Sequence, residues 1–501
     1  MAEPSLSSYK TPGVYVQEIA KLPPSVAQVD TAVPIFIGHT ETAERNGDSL
    51  VLVPTRITSM DQYVTWFGDP RKEEFEVVVQ DADDPEKIPS VKLVPKAIEI
   101  DYRMFYAAQM FFDNGGGECY ILSLGLYKDL TSKPTPGAYW SDQIENILKK
   151  ELEPTLIVFP DLVGKSSTEP PTSEEPKAAY LTTYESALKF CKDPKINNYF
   201  VVMDVAQHQK NRNSPILDAG HFRELAGTID ELKYGASYYP YIVTSITPSY
   251  DPKGITVKGL PPVPPPTPPE DGSTPPDTEL QKLEDIRDKR NQLFNLIVDA
   301  INTQTRLVLP PSSAMAGIYA SIDSTRGVFK APANTGIANV LAPAVKVSDQ
   351  DQDDFNVDTT AGKSINVIRS FRGLGTLVWG ARTLAGNDRE WRYISVRRFF
   401  NMVEESVKRS LFRFVFEPNS PNTWISIRAS VEAFLETQWR AGALLGNTPN
   451  DAYFVRVGVP ETFSTAEMLD GFMVVEIGMA VVRPAEFIVL KFMHKFELGQ
   501  Q

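Results

Sequence analysis

WGARTLAGNDREWRYISVRRFFNMVEESVKRSLFRFVFEPNSPNTWISIRASVEAFLETQWRAGALLG, residues 379–446, holds two helical patterns joined by a short Pro/Asn-rich turn. In the first, Val396, Phe399, Phe400, Val403, Val407, Leu411 and Phe414 recur at helical spacing and line one apolar face. Glu404–Lys408 and Glu405–Arg409 sit four apart with the acid first, the favourable order on an exposed face. Pro418 cannot continue a helical ladder and bounds the first helix. Asn422 is the expected N-cap of the second. Ile427, Val431, Phe434, Leu435 and Trp439 form its apolar face, Glu436–Arg440 an outer pair, and Gly442 or Gly446 its end. Two apolar-faced helices with a short connection predict an antiparallel hairpin, the start of a core.

Outward from this stretch the totals set bounds. A chain of 501 residues has room for two to four domains, and 42% hydrophobic with 23% charged residues is globular composition. The net charge of -14 argues against direct nucleic-acid binding, which favours basic domains. Cys119 and Cys191 stand alone in their neighbourhoods, so a disulfide framework is not expected and the chain is read as folding in a reducing compartment. The opening MAEPSLSSYK lacks a basic-then-apolar leader pattern, and no apolar run reaches the roughly 18 residues of a membrane span.

Taken in order, YKTPGVYVQEI (9–19) alternates as a strand: Gly13, Val14, Tyr15, Val16, Gln17, Glu18 and Ile19 follow the break at Pro12. AVPIFIGHTE (32–41) reads as a buried strand, and TRITSMDQYVTWFG (55–68) as a strand, a helix capped by Ser59 or Asp61, and a glycine stop. A large-aromatic helix at 102–114 ends in Gly115–Gly117 and leads into a strand, ECYILSLG. From Ser141 to Ile246 helices alternate with apolar strands, which predicts a sheet with helices packed on it. Residues 248–279 are Pro-rich, an extended surface insertion. LQKLEDIRDKRNQLFNLIVDAI (280–301) reads as one long amphipathic helix. The C-terminal run EFIVLKFMHKFE alternates again, Phe487, Val489, Lys491, Met493 and Lys495 against Ile488, Leu490, Phe492, His494 and Phe496.

Chemical motifs are incomplete throughout. The triple glycine follows a helix instead of opening one, and lacks GxGxxG. Asp161 and Asp204 stand at strand ends, where α/β enzymes place catalytic groups, but no glycine-rich loop, nucleophile elbow or histidine partner accompanies them. SDQDQDDFN (348–356) has a calcium-like Asp spacing with Asp354 where the loop needs Gly and Thr360 where it needs Glu, so a solvated acidic loop is expected. Gly362–Ser364 echo the end of a P-loop whose first glycine is replaced by Val357. His39, His208, His221 and His494 form no metal-ligand spacing, and no cofactor is expected.

Several blocks nevertheless resemble one family. WGARTL (379–384), RRFFNMVEES (397–406), VFEPN (415–419) and GALLG (442–446) are similar to the C-terminal core of contractile tail sheath proteins, which build the sleeves of phage tails, R-type bacteriocins and extracellular injection particles. AGIYASIDSTRGVFKAPAN and INVIRSFRGLGTLVWGARTL precede them in the family's order, and TPGVYVQEI resembles its N-terminal arm. The resemblance implies an α+β / α/β multidomain chain. Its inner sheath core would combine the helical hairpin with strands from both chain ends, residues 1–40 and 362–501. Residues 41–140 and 141–361 would be outward-facing inserted lobes.

The resemblance further implies a structural subunit that polymerises helically around an inner tube and contracts. Its partners would be copies of itself, alone or with paralogous sheath subunits, the inner tube protein, and baseplate and terminal cap proteins. It would assemble in the bacterial cytoplasm and, in released particles, end up outside the cell. Two other classes stand beside it: an α/β enzyme on residues 141–246, and a non-contractile shell or adaptor protein.

Two surfaces follow from this reading. The strand Gly13–Ile19 and the C-terminal strand Phe487, Ile488, Val489, Leu490, Lys491 and Phe492 would each pair with a neighbouring subunit; the plainer alternative for the first is an edge strand of its own domain. Arg397, Arg398, Lys408 and Arg409 lie in a basic stretch of an acidic chain. They are read either as solvated helix-surface charge or as contacts to an acidic patch on the tube or a neighbour.

Overall fold

The structure is a computed structural model that describes residues 26–80, 90–94, 97–130, 136–164, 179–196, 198–208, 214–260 and 281–490. The expected strand Gly13–Ile19, Lys491, Phe492 and the Pro-rich 261–280 lie outside the described residues. The chain separates into two compact units. Described residues of Gln28–Glu405 and Val481–Gln501 form the larger; those of Met1–Ala27 and Ser406–Ala480 form the smaller.

The larger unit is organised by nine strands, which in chain order are β1 (Pro34–Thr40), β2 (Thr55–Ile57), β3 (Cys119–Leu126), β4 (Leu156–Val158), β5 (Phe200–Asp204), β6 (Gly235–Tyr239), β7 (Thr335–Gly336), β8 (Asn366–Phe371) and β9 (Gly375–Trp379). They hydrogen-bond in the order β7-β9-β8-β6-β5-β4-β1-β3-β2. The six from β8 to β3 are parallel. Antiparallel β2, β9 and β7 finish the two sides.

Parallel strands need long crossovers and are buried on both faces, so their sequences are continuously apolar. The side chains divide by parity. Phe36, Val158, Val202 and Ile368 join one core with Met110 and Phe111 of α1 (Met104–Asp113) and Met315 and Tyr319 of α2 (Ser312–Arg326). Ile35, Ile37, Ile157, Val201 and Val367 point the other way, against Leu181, Tyr184 and Leu188 of the helix Ala179–Lys192. Each such fully buried aliphatic or aromatic side chain is worth about 1.5–3 kcal/mol. The small residues of α2 serve close packing: a Cβ added at Gly317 would lie 2.5 Å from the Phe111 carbonyl oxygen.

The sheet takes strands from all four of the expected segments, so boundaries near 40, 140 and 361 do not divide the structure. A parallel sheet collects its strands from distant parts of the chain, which local pattern does not reveal. Three further expectations change. The acidic stretch is a helix, α3 (Asp349–Asn356), because Ser348 and Asp351 form a capping box and acidic residues suit a first turn. The long helix at 280–301 is two, Leu283–Lys289 and Asn291–Gln304. Arg290 breaks it at φ -143°, and Leu283, Ile286, Ile297 and Ile301 all reach the core. Pro240 splits 236–246 between β6 and a short strand, Ile242–Thr244, of a separate four-stranded sheet.

Both helices of the opening stretch form: α4 (Ile394–Leu411) and α5 (Pro421–Arg440). The N-cap of α5 is Ser420 instead of Asn422, because Pro421 is pre-shaped for the first helical position. Gly442, at φ +85°, follows its end. In the smaller unit α5 buries Ile427, Val431, Phe434 and Leu435 and packs against a two-stranded antiparallel sheet, β10 (Tyr453–Val457) with β11 (Val475–Met479).

Candidate subunit-contact surfaces

The basic stretch splits by location. Arg397 is 2% exposed; its Nε donates to Asn401 Oδ1 at 2.7 Å, its Nη2 to Glu404 Oε1 at 2.9 Å, and its guanidinium lies 4.4 Å from the Trp391 ring centre. Arg398 is 5% exposed and donates to both carboxylate oxygens of Asp323, at 3.1 and 2.5 Å, and to the Thr31 carbonyl at 2.7 Å. Neither is displayed for a partner in this subunit, which corrects their reading as surface contacts. A charge removed from water must be held by fixed partners, and these two are. Lys408 and Arg409, further along the same helix, are exposed.

Several large apolar side chains of the smaller unit are in solvent. Phe412, Val415, Phe416, Ile425, Phe454, Leu469 and Phe472 are exposed, and Phe416 is fully so at a φ of +72°. Among the described residues the sheet here has two strands, and a sheet edge left without a neighbour is the feature that invites a strand from another chain. Helical periodicity does not reveal the exposure at Phe412, Val415 and Phe416, because α4 gives way to a 3-10 turn over Phe412–Phe414 and the chain leaves the 3.6-residue repeat.

Among the described residues Glu486–Leu490 have no ladder partner. Val481 is buried, and Glu486 is paired with Arg382. Phe487, Ile488, Val489 and Leu490 are then 73–80% exposed. A cavity of about 560 Å³ lies beside this segment, lined among others by Gln352, Arg369, Trp379, Glu486 and Phe487. Four consecutive exposed apolar residues are a liability in an isolated subunit and ordinary in one half of an interface.

The enzyme-like carboxylates are structural. Asp161 is fully buried and accepts the backbone N–H groups of His39 at 2.9 Å and Arg103 at 2.5 Å, tying β1 to the start of α1. Asp204, also fully buried, accepts the N–H and Oγ–H of Ser312 at 2.8 and 2.5 Å, so it caps α2. Burial pushes the Asp204 carboxyl up to about 7, against the lowering effect of those two hydrogen bonds.

A folded-state value above the unfolded 3.8 means that the native chain holds a proton the unfolded chain releases. That contribution to stability is full below about pH 4 and is lost as pH rises to about 7. Asp204→Asn should therefore gain stability relative to the wild type across that window and stay level above it. Urea midpoints at several pH values check this; a pH-independent difference would show that the carboxyl is ionised throughout. Among the described residues no group of three or more His, Cys, Asp or Glu is placed to hold a metal, and no helix is long and apolar enough to cross a membrane.

Residues 387–494 match the phage tail sheath C-terminal domain family. The tail sheath protein of Enterobacteria phage T4 is 26% identical over 198 residues, 39% of this chain and 28% of that protein's length, so the alignment spans under a third of the relative. The sheath of the extracellular contractile injection system PVC, solved in the contracted state, is 27% identical with a TM-score of 0.61, over 97% of this chain and 98% of its own. The helical sheath of the anti-feeding prophage, also contracted, is 28% identical with a TM-score of 0.60, over 97% of this chain and 100% of its own. The likeness covers 97% of the chain and so takes in residues of both compact units: over nearly its whole length this chain is similar to contractile tail sheath proteins, and residues 387–494 match that family's C-terminal domain.

Proposed function

We propose that this protein is the repeating subunit of a contractile sheath: it stacks helically around an inner tube and shortens to drive that tube through a target envelope. The observation that carries the proposal is similarity along 97% of the chain to sheaths solved in their contracted state. In this reading the partners are further copies of the chain, the inner tube, and the baseplate and cap at the two ends, and assembly takes place in the bacterial cytoplasm before release. The work comes from assembly, the extended sleeve being a trapped arrangement of folded subunits. The chain itself catalyses nothing: Asp161 and Asp204 are sealed from solvent and already engaged with backbone and hydroxyl groups. Electron microscopy of purified protein mixed with its tube protein tests the reading. Hollow sleeves of two lengths support it; closed shells or dispersed subunits would sink it.

Within that reading Lys408 and Arg409 are the basic groups that face an acidic tube or neighbour. Contacts between exposed charges are screened over about 8 Å at physiological ionic strength, so sleeve yield should fall as salt rises. Neutralising both charges, Lys408→Gln with Arg409→Gln, should depress yield at low salt, with the subunit's unfolding midpoint read alongside as the control for the contacts these two residues make within the subunit. Unchanged yield at all salt concentrations would remove these residues from the interface.

A further inference from the structure

The C-terminal segment changes character at one residue. Up to Glu486 it is fastened to the larger unit; from Phe487 its side chains are in solvent. The fastening is an ion pair. Arg382 is 2% exposed, its Nε donates to Glu486 Oε1 at 2.9 Å and its Nη2 to Oε2 at 2.5 Å. The remaining guanidinium nitrogen, Nη1, donates to the Asn356 carbonyl at the end of α3, at 3.1 Å. The arginine's own backbone is pinned as well. Its N–H donates to Asn366 Oδ1 and its carbonyl accepts from Asn366 Nδ2, both at 2.8 Å, which ties it to the first residue of β8.

We infer that Arg382 and Glu486 are the root anchor of the C-terminal arm, the point at which a pull on residues beyond Phe487 is taken up by the subunit's main sheet. The inference rests on the reading that this arm links neighbouring subunits. An apolar contact resists sliding weakly because it has no preferred register. A two-pronged guanidinium–carboxylate pair fixes both position and direction, and a buried one is little weakened by salt. Arg382 is therefore a positioning residue: it touches no partner, but it decides where the free part of the arm begins.

Three chains test this: wild type, Glu486→Gln, and a chain ending at Glu486. Glu486 is partly exposed, so the Gln variant keeps its fold, and its unfolding midpoint serves as the control. The Gln variant loses one charge-assisted pair, which is worth about a tenfold to a hundredfold change in how often the segment is released. Its sleeves should come apart at lower urea than wild-type sleeves, with the subunit midpoint unchanged. Sleeve resistance equal to wild type, while the shortened chain forms no sleeves, would overturn the anchor and leave the linking arm standing. Normal sleeves from the shortened chain would overturn both.

Discussion

Replacing Arg398 with Met is expected to cost the subunit about 3–5 kcal/mol, the usual penalty for stranding one partner of a buried ion pair. Asp323 is left 7% exposed with its carboxylate uncompensated, keeping only the Thr31 hydroxyl at 2.7 Å. The Thr31 carbonyl loses its donor, and the cation that lies 4.6 Å from the Tyr319 ring centre disappears. Folded domains are stable by about 5–15 kcal/mol, so the variant should unfold at distinctly lower urea and express poorly. Glu at 398 should be worse, since two carboxylates would then face each other in a dry site. Removing both charges, Arg398→Met with Asp323→Leu, should recover much of the loss, because apolar replacement of a whole buried pair is often neutral. A urea titration of the three chains checks this, and a single-variant loss under about 1 kcal/mol would mean that water reaches the pair. The same substitution read only for sleeve assembly would mimic a contact residue while acting through the fold.

Deleting residues 1–20 is expected to abolish sleeves altogether while leaving soluble, folded subunits. The sequence there alternates as a strand from Gly13 to Ile19, and the described residues of the smaller unit include a two-stranded sheet with Phe454 exposed on it. Adding a strand to such a sheet satisfies backbone donors and acceptors and covers apolar surface at once. Each subunit contributes the same linkage many times along a helical assembly, so a modest loss per link is multiplied until no sleeve persists. Val16→Pro removes one backbone donor and should act in the same direction if that N–H lies in the ladder. Circular dichroism establishes that the shortened chain is folded, and electron microscopy reads the sleeves. Full-length contractile sleeves from the deletion would make Gly13–Ile19 an edge strand of its own domain.

Much of the architecture is written locally. Ser59 and Ser141 cap the helices they precede, and Gly68 ends the first, because caps act over three or four residues. Leu156–Val158 and Phe200–Asp204 read as buried strands because nothing polar interrupts them. Arg397 and Arg398 show the limit. Periodicity assigned one apolar stripe to α4, but Ser395, Met402, Glu405 and Ser406 are buried too, so most of the first three turns lack a solvent face. A charge in such a helix is a structural element if it has a partner. Arg398's partner, Asp323, is 75 positions away, beyond any local pattern. The C-terminal segment is the converse case: its alternation is genuine, but the strand that would complete the ladder is not in the larger unit's described sheets.

The strands that flank the Pro-rich insertion carry a practical consequence. Thr256 pairs with Lys282 and Val257 with Gln281, so the described chain on either side of 261–280 lies on two adjacent antiparallel strands. Adjacent strands are about 5 Å apart, close to the spacing of the termini in many small folded domains. A foreign domain with neighbouring ends can be spliced at this position without stretching either strand, and it would be displayed once per subunit. The insertion is thus a natural docking port for a fluorophore, an affinity handle or a receptor-binding module on whatever particle these subunits build.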